Sequence, residues 1–173
     1  MKLSNYYQEV NSIITSVPVN TVGIYCHLGI MEASMGIAGE IGEVVSACLK
    51  KTNIEEEIGD CMYYITKMAY LLCGNPDILI PNEDDVSIFE KDRLEVDDVR
   101  VESLFIYAHR ISSKIVDYVK KIYFKEQNDE TNELINELES LLITIKIISI
   151  KYDISINSAL EKNIIKLKER YNK

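Results

Sequence analysis

The chain of 173 residues carries 28 acidic against 19 basic side chains, a formal net charge of −9, and is 47% hydrophobic. That is too apolar for a disordered chain and long enough to bury a real core. The acidic balance excludes a polymeric nucleic acid as partner, which needs a basic surface, but not a single nucleotide, because a bound metal inverts the local field.

Only seven Gly and three Pro occur, which favours helices over a turn-rich β fold. Cys26, Cys48, Cys61 and Cys73 form no CxxC and no Cys/His cluster. Zinc and a disulfide framework are therefore not expected, and the thiols read as reduced, in a cytoplasmic protein. The N-terminal MKLSNYYQEV lacks the apolar run of a signal peptide. Leu141–Ile150 is apolar but too short to span a bilayer and is interrupted by Lys146, so no membrane is expected.

In chain order, Ser4 is positioned to cap a first helix over about residues 4–16, ended by Pro18 and Asn20. A second helical region runs from Thr21 to Lys51 and holds Gly23, Gly29, Gly36, Gly39 and Gly42. An interior glycine costs about 1 kcal/mol against alanine, so Gly39 and Gly42, each just before a glutamate, call for an offset. Close approach of another helix or of a ligand is the expected one. Asn53 with Glu56 reads as a capping box for a third helix. Its core face is Ile54, Ile58, Cys61, Ile65, Met68 and Leu72, and Gly74 followed by Asn75-Pro76 ends it. Glu57 and Asp60 share a stripe with Tyr64 and Leu71 beside that face. Tyr63 and Tyr64 read as packing aromatics rather than base-stacking ones.

Residues 75–97 read as an acidic connecting loop. Helices are expected over about 99–126, 130–151 after a break at Gln127-Asn128-Asp129, and 155–171 capped by Ser155. The expectation is one all-α domain, an antiparallel bundle with a four-helix core made of two hairpins plus additional helices. Residues 1–74 form a metal-binding half, 75–97 a loop and 98–173 a second helical half. The halves look like a faint duplication: Lys120-Lys121 aligns with Lys50-Lys51 and Glu137–Ser140 with Glu57–Asp60. On that register Arg110, Ser113 and Ser140 replace Glu40, Glu43 and Asp60, so the second hairpin lacks the acids.

The chemistry lies in two acid pairs, Glu40/Glu43 and Glu57/Asp60, each at helical i, i+3 spacing. A hairpin break at Thr52-Asn53 folds the helices back and aims four carboxylates at one point. Four such groups repel, at about 4 kcal/mol for a pair 4 Å apart in an effective dielectric near 20. Without a cation at least one proton is expected to stay bound, with raised pKa values for the group. Oxygen ligands in that number suit a hard divalent ion, Mg²⁺ or Mn²⁺.

The run GIAGEIGEV, then EEIGDCMYYI, resembles the MazG-like family of all-α nucleoside triphosphate pyrophosphohydrolases, which carry ExxE, a spacer and ExxD. Here the spacer is Val44–Glu56. The segment Ser155–Tyr171 is similar to the family's closing helix. The resemblance implies Mg²⁺-dependent cleavage between the α and β phosphates, giving a nucleoside monophosphate and pyrophosphate from a substrate such as dUTP or dCTP. It implies Glu40, Glu43, Glu57 and Asp60 as metal ligands, one of them or a neighbour orienting the attacking water. It implies Lys50 or Lys51, Lys166 and Arg170 as phosphate-neutralising candidates and Asn163 as a sugar or phosphate contact. Lys50 and Lys51 read equally as compensation of the helix dipole, and Lys166 and Arg170 as surface charges. The family resemblance implies a homodimer or higher oligomer, while the inserted second hairpin is similar to the arrangement in dimeric dUTPases, where a duplicated half replaces part of a partner subunit. Tyr6, Tyr7, Gln8 and Asn11 resemble base-contacting positions. The competing readings are a phosphoribosyl-ATP pyrophosphohydrolase and a helical module that keeps the fold without the chemistry.

Overall fold

In the computed structural model, which describes residues 1–14, 24–80, 99–124 and 130–171, every regular element is helical. Six α-helices follow in order: α1 Leu3–Ile14, α2 Ile24–Lys50, α3 Ile54–Cys73, α4 Val101–Phe124, α5 Thr131–Lys151 and α6 Ile156–Tyr171. A short 3-10 helix, Pro76–Leu79, follows α3. The expected stop at Pro18 and Asn20, the helix start at Thr21, Gly23, the break at 127–129 and the loop from 81 to 97 lie outside the described residues, as does the side chain of Cys26. Cys48 and Cys61 are buried free thiols and Cys73 is half-buried. Among the described residues, no helix is long and apolar enough to cross a membrane.

The core is a ring of four helices. Hairpin α2–α3 packs on hairpin α4–α5 through α2 against α4 and α3 against α5, with α6 on the outer side of α3 and α1 against α6 and α3. Apolar residues at helical spacing fill it: Ile30, Ile37, Ile41 and Val44 from α2, Ile58, Cys61, Ile65 and Met68 from α3, and Leu134, Leu138, Leu141 and Ile145 from α5 are all buried.

The α2–α3 seam explains part of the glycine content. A Cβ at Gly29 would touch the Leu71 side chain at 3.0 Å, and one at Gly36 would overlap the Tyr64 ring. Small residues on α2 thus receive large ones from α3 at heptad spacing. The next pair at that spacing is Glu43 and Glu57. The stripe Asp60, Tyr64, Leu71 is therefore the face α3 turns to α2. Gly39 and Gly42 are different: among the described residues nothing lies within 4 Å of a Cβ at either position. No helix offsets their cost, contrary to one of the two expectations from sequence.

Two caps also differ from the sequence reading. Asn53 sits in the left-handed region (φ 56) and its side chain makes no capping bond, so the Asn53/Glu56 capping box does not form. The tight return from α2, with Lys51 also at φ 57, takes that conformation instead. Ser4 lies inside α1 rather than at its cap. Its N–H (3.0 Å) and its hydroxyl (2.6 Å) both donate to the Asp77 carboxylate. Asp77 thereby satisfies a free amide at the N-terminus of α1 and complements its dipole. The start of the expected 75–97 loop is consequently ordered, with Pro76 and Leu79 buried. Gly74 ends α3 as expected, at φ 72 with its N–H on the Tyr70 carbonyl at 2.7 Å. Ser155 accepts the Ser158 N–H at 3.4 Å at the head of α6.

The two kinds of glycine respond oppositely to alanine. Gly39→Ala and Gly42→Ala each raise unfolding free energy by about 0.5–1 kcal/mol, the helix-propensity difference. Gly36→Ala lowers it, because the Tyr64 ring must move. Urea unfolding of the three variants measures this; stabilisation by Gly36→Ala would contradict the seam.

Candidate metal centre

The antiparallel register that sets Gly36 against Tyr64 continues one turn further to set Glu40 beside Asp60. Glu57, one turn before Asp60 on α3, completes the group. One carboxylate oxygen from each of Glu40, Glu57 and Asp60 lies within 4.8 Å of the others, and all three side chains are half-buried. Glu43 is exposed and stands outside this trio. It remains close enough for its charge to push up the carboxyls of both Glu40 and Glu57. The structure thus brings three of the four expected carboxylates to one point and leaves the fourth on the solvent side.

Burial, then the negative charges of Asp60, Glu43 and Glu57, push the Glu40 carboxyl up to about 7, with Lys166 acting weakly the other way. Burial and the charges of Glu43, Asp60 and Glu56 raise Glu57 likewise. Both shifts run in the direction expected for part-buried, crowded carboxyls, burial contributing most. Glu40 Oε2 is buried with no hydrogen-bond partner among the described residues, which a folded chain normally avoids.

Asp60 is held from α6. Asn163 Nδ2 donates to Asp60 Oδ1 at 2.5 Å, and the Lys166 ammonium bonds to Asp60 Oδ2 and, at 2.8 Å, to Glu56 Oε1. Burial pulls the Lys166 ammonium down, but its bonds to Asp60 and Glu56 prevail and raise it. Asn163 is itself buried, and its Oδ1 accepts the Tyr6 hydroxyl at 2.6 Å. A second ion pair, Lys162 to Glu55, ties α6 to the first turn of α3.

Of the expected substrate contacts, Asn163 and Lys166 reach the carboxylates. Lys50 and Lys51 are exposed at the far end of α2, where Lys51 takes part in the helix-terminating turn, and Arg170 is exposed near the end of α6. No bond from these three to the carboxylates occurs among the described residues. Tyr6 is wholly buried and Tyr7 stacks on Tyr70 at 4.6 Å, so neither stands open to a base. Tyr64 packs on Gly36, with its ring edge-on to Tyr63 at 4.9 Å.

Two contributors escape a reading of sequence alone. Gly59 has no space for a side chain: a Cβ there would stand 2.8 Å from the Ala159 carbonyl oxygen and 3.1 Å from Asn163 Cβ. That close approach lets the short Asn163 side chain reach Asp60. The glycine inside EEIGD was the available signal. Tyr6, which in sequence resembles a base-contacting position, lies most of the chain away from Asn163, and no local signal gave its bond to that amide.

The second hairpin also carries an acid between its helices, but a paired one. Glu137 of α5, the residue set against Glu57 in the expected duplication, pairs with Lys114 of α4 at 2.5 Å. There the charge is neutralised within the hairpin, whereas the first hairpin leaves an acidic trio with one oxygen unpartnered. All-oxygen donors, crowded and short of cations, fit a hard divalent ion such as Mg²⁺ or Mn²⁺. In comparisons with known proteins, no family model, curated protein or solved structure matches the chain.

The raised Glu40 carboxyl has a thermodynamic consequence. Its folded value of about 7 exceeds the unfolded value of about 4.3. Between them the folded chain binds more protons than the unfolded one, so stability falls as pH rises through that window. Thermal unfolding of the metal-free protein between pH about 4 and about 8 should show this decline, and Glu40→Gln, neutral throughout, should flatten it. An identical slope in Glu40→Gln would exclude Glu40 as its source.

Proposed function

We propose that this chain is a divalent-metal-dependent nucleoside triphosphate pyrophosphohydrolase, acting in the cytoplasm as a homodimer or higher oligomer. The observation that carries the reading is the convergence of Glu40, Glu57 and Asp60 oxygens within 4.8 Å around a buried, unpartnered Glu40 oxygen. The residues suit the ion on chemical grounds: three half-buried carboxylates and no sulfur or imidazole in the group. Bound there, Mg²⁺ supplies a positive field that screens the triphosphate and acidifies water.

The chain's own groups do the rest. Glu40, Glu57 and Asp60 hold the ion. Glu43, exposed beside them, is the carboxylate free to orient an attacking water and accept its proton. Lys166, already beside Asp60 and Glu56, adds positive charge where phosphate oxygens approach. With no atom of the described residues within 4 Å of a Cβ at Gly39 or Gly42, a ligand has room to come close to the helix backbone beside Glu40 and Glu43. The site of cleavage, between the α and β phosphates, and the preference for dUTP or dCTP rest on the resemblance of GIAGEIGEV and EEIGD to the MazG-like family.

A screen of ribo- and deoxyribonucleoside triphosphates with Mg²⁺ should release pyrophosphate together with a nucleoside monophosphate. Glu40→Gln, Glu57→Gln and Asp60→Asn should each lose more than the about 10–100-fold that removal of an outer partner costs, with helical circular dichroism retained. Excess Mg²⁺ should raise the melting temperature of the unaltered protein near neutral pH and not that of Glu40→Gln. Release of orthophosphate, or unchanged turnover in all three variants, would overturn the reading.

A further inference from the structure

We infer that Tyr6 is a positioning residue for the carboxylate centre, acting through Asn163 on Asp60; the inference rests on the metal-centre reading above. Tyr6 is 0% exposed and Asn163 is 3% exposed, so neither side chain is solvated and each needs its bonds within the protein. The Tyr6 hydroxyl donates to Asn163 Oδ1 at 2.6 Å, and Asn163 Nδ2 donates to Asp60 Oδ1 at 2.5 Å.

The two bonds are coupled through one rigid amide. A flipped Asn163 would aim its carbonyl oxygen at the Asp60 carboxylate, oxygen against oxygen. With the observed orientation, Oδ1 needs a donor, and the phenol is that donor. Burial, then the charges of Asp60 and Tyr63, hold the phenol well above its ordinary range, so it keeps its proton. A tyrosine present only for packing could place its hydroxyl on any acceptor. This one is placed on the far end of the group that grips Asp60.

The backbone is built for the same contact. Gly59 leaves no room between α3 and α6, with Asn163 Cβ only 3.1 Å from where its own Cβ would stand. Asp60 is therefore clamped on one oxygen by a fixed amide and on the other by the longer, more adaptable Lys166 ammonium. When a cation displaces Lys166 from Asp60, or a phosphate draws it away, the amide bond is what keeps the Asp60 carboxylate in its rotamer. An outer partner that orients a ligand in this way typically changes metal affinity about 10–100-fold when removed.

The test is calorimetric titration of the full chain with Mn²⁺, without substrate. Tyr6→Phe keeps the ring and removes only the hydroxyl. It should weaken Mn²⁺ binding about ten-fold or more while cooperative thermal unfolding is retained. Asn163→Leu, similar in shape, should do the same, which keeps the test decisive if one variant folds poorly. Ile122→Ala, in the core near the His27 and Tyr123 rings at the other end of α2, should lower the melting temperature without changing Mn²⁺ affinity. Such a result separates orientation from loss of stability. Wild-type affinity in both Tyr6→Phe and Asn163→Leu would overturn the inference. Failure of the unaltered protein to bind Mn²⁺ would instead overturn the metal centre itself, and the inference with it.

Discussion

The seam between α2 and α3 is the constraint from which the rest follows. Glycines at 29 and 36 let the backbone of α2 come close enough to accept Leu71 and Tyr64, and this fixes an antiparallel register one layer at a time. Continued to the next layers, that register brings Glu40 beside Asp60 and Glu43 towards Glu57. A slip of one residue would rotate these acids around their helices and disperse them. The site is therefore built by apolar and small-residue packing that begins one turn away from it, at Gly36 and Tyr64, not by attraction among its members.

Those members oppose their own assembly. Three carboxylates in a half-buried cleft lose hydration and repel one another, and the molecule meets this in two ways. Burial and the neighbouring acids raise the Glu40 carboxyl to about 7, so it gives up its proton later than an ordinary carboxyl does. The molecule also sends α6 across the face of α3 with Lys166 and Asn163 on Asp60. Neither removes the strain entirely, since Glu40 Oε2 keeps no partner among the described residues. Polar groups left short of partners in an otherwise well-packed core are characteristic of places kept for a ligand rather than for stability. In the second hairpin, by contrast, Lys114 of α4 closes on Glu137 of α5 and balances that charge within the hairpin.

The all-α class, the six helices and the acid pairs were legible in the order of residues. Apolar residues recur with helical period, prolines and glycines are scarce, and i, i+3 acids share a helix face by geometry alone. Gly74 and Ser155 also announced their roles, because a left-handed stop and a helix-head hydroxyl are local devices. The caps at Asn53 and Ser4 were misread for the converse reason. A three-residue return between long helices imposed left-handed backbone on Asn53, and a carboxylate from Asp77, distant in sequence, accepts Ser4's own N–H and hydroxyl, so that Asp77 and not Ser4 serves the head of α1.

By itself, then, the order of residues determined helical periodicity, helix ends where the stop is local, and which acids share a face, because each depends on neighbours within a turn or two. Only the tertiary structure decided that Glu40, Glu57 and Asp60 meet while Glu43 stays outside, that Lys166 and Asn163 reach them while Lys50, Lys51 and Arg170 do not, and that Tyr6 stands behind Asn163. These are contacts between helices far apart along the chain, set by register and by the space glycines leave, and no local pattern encodes them.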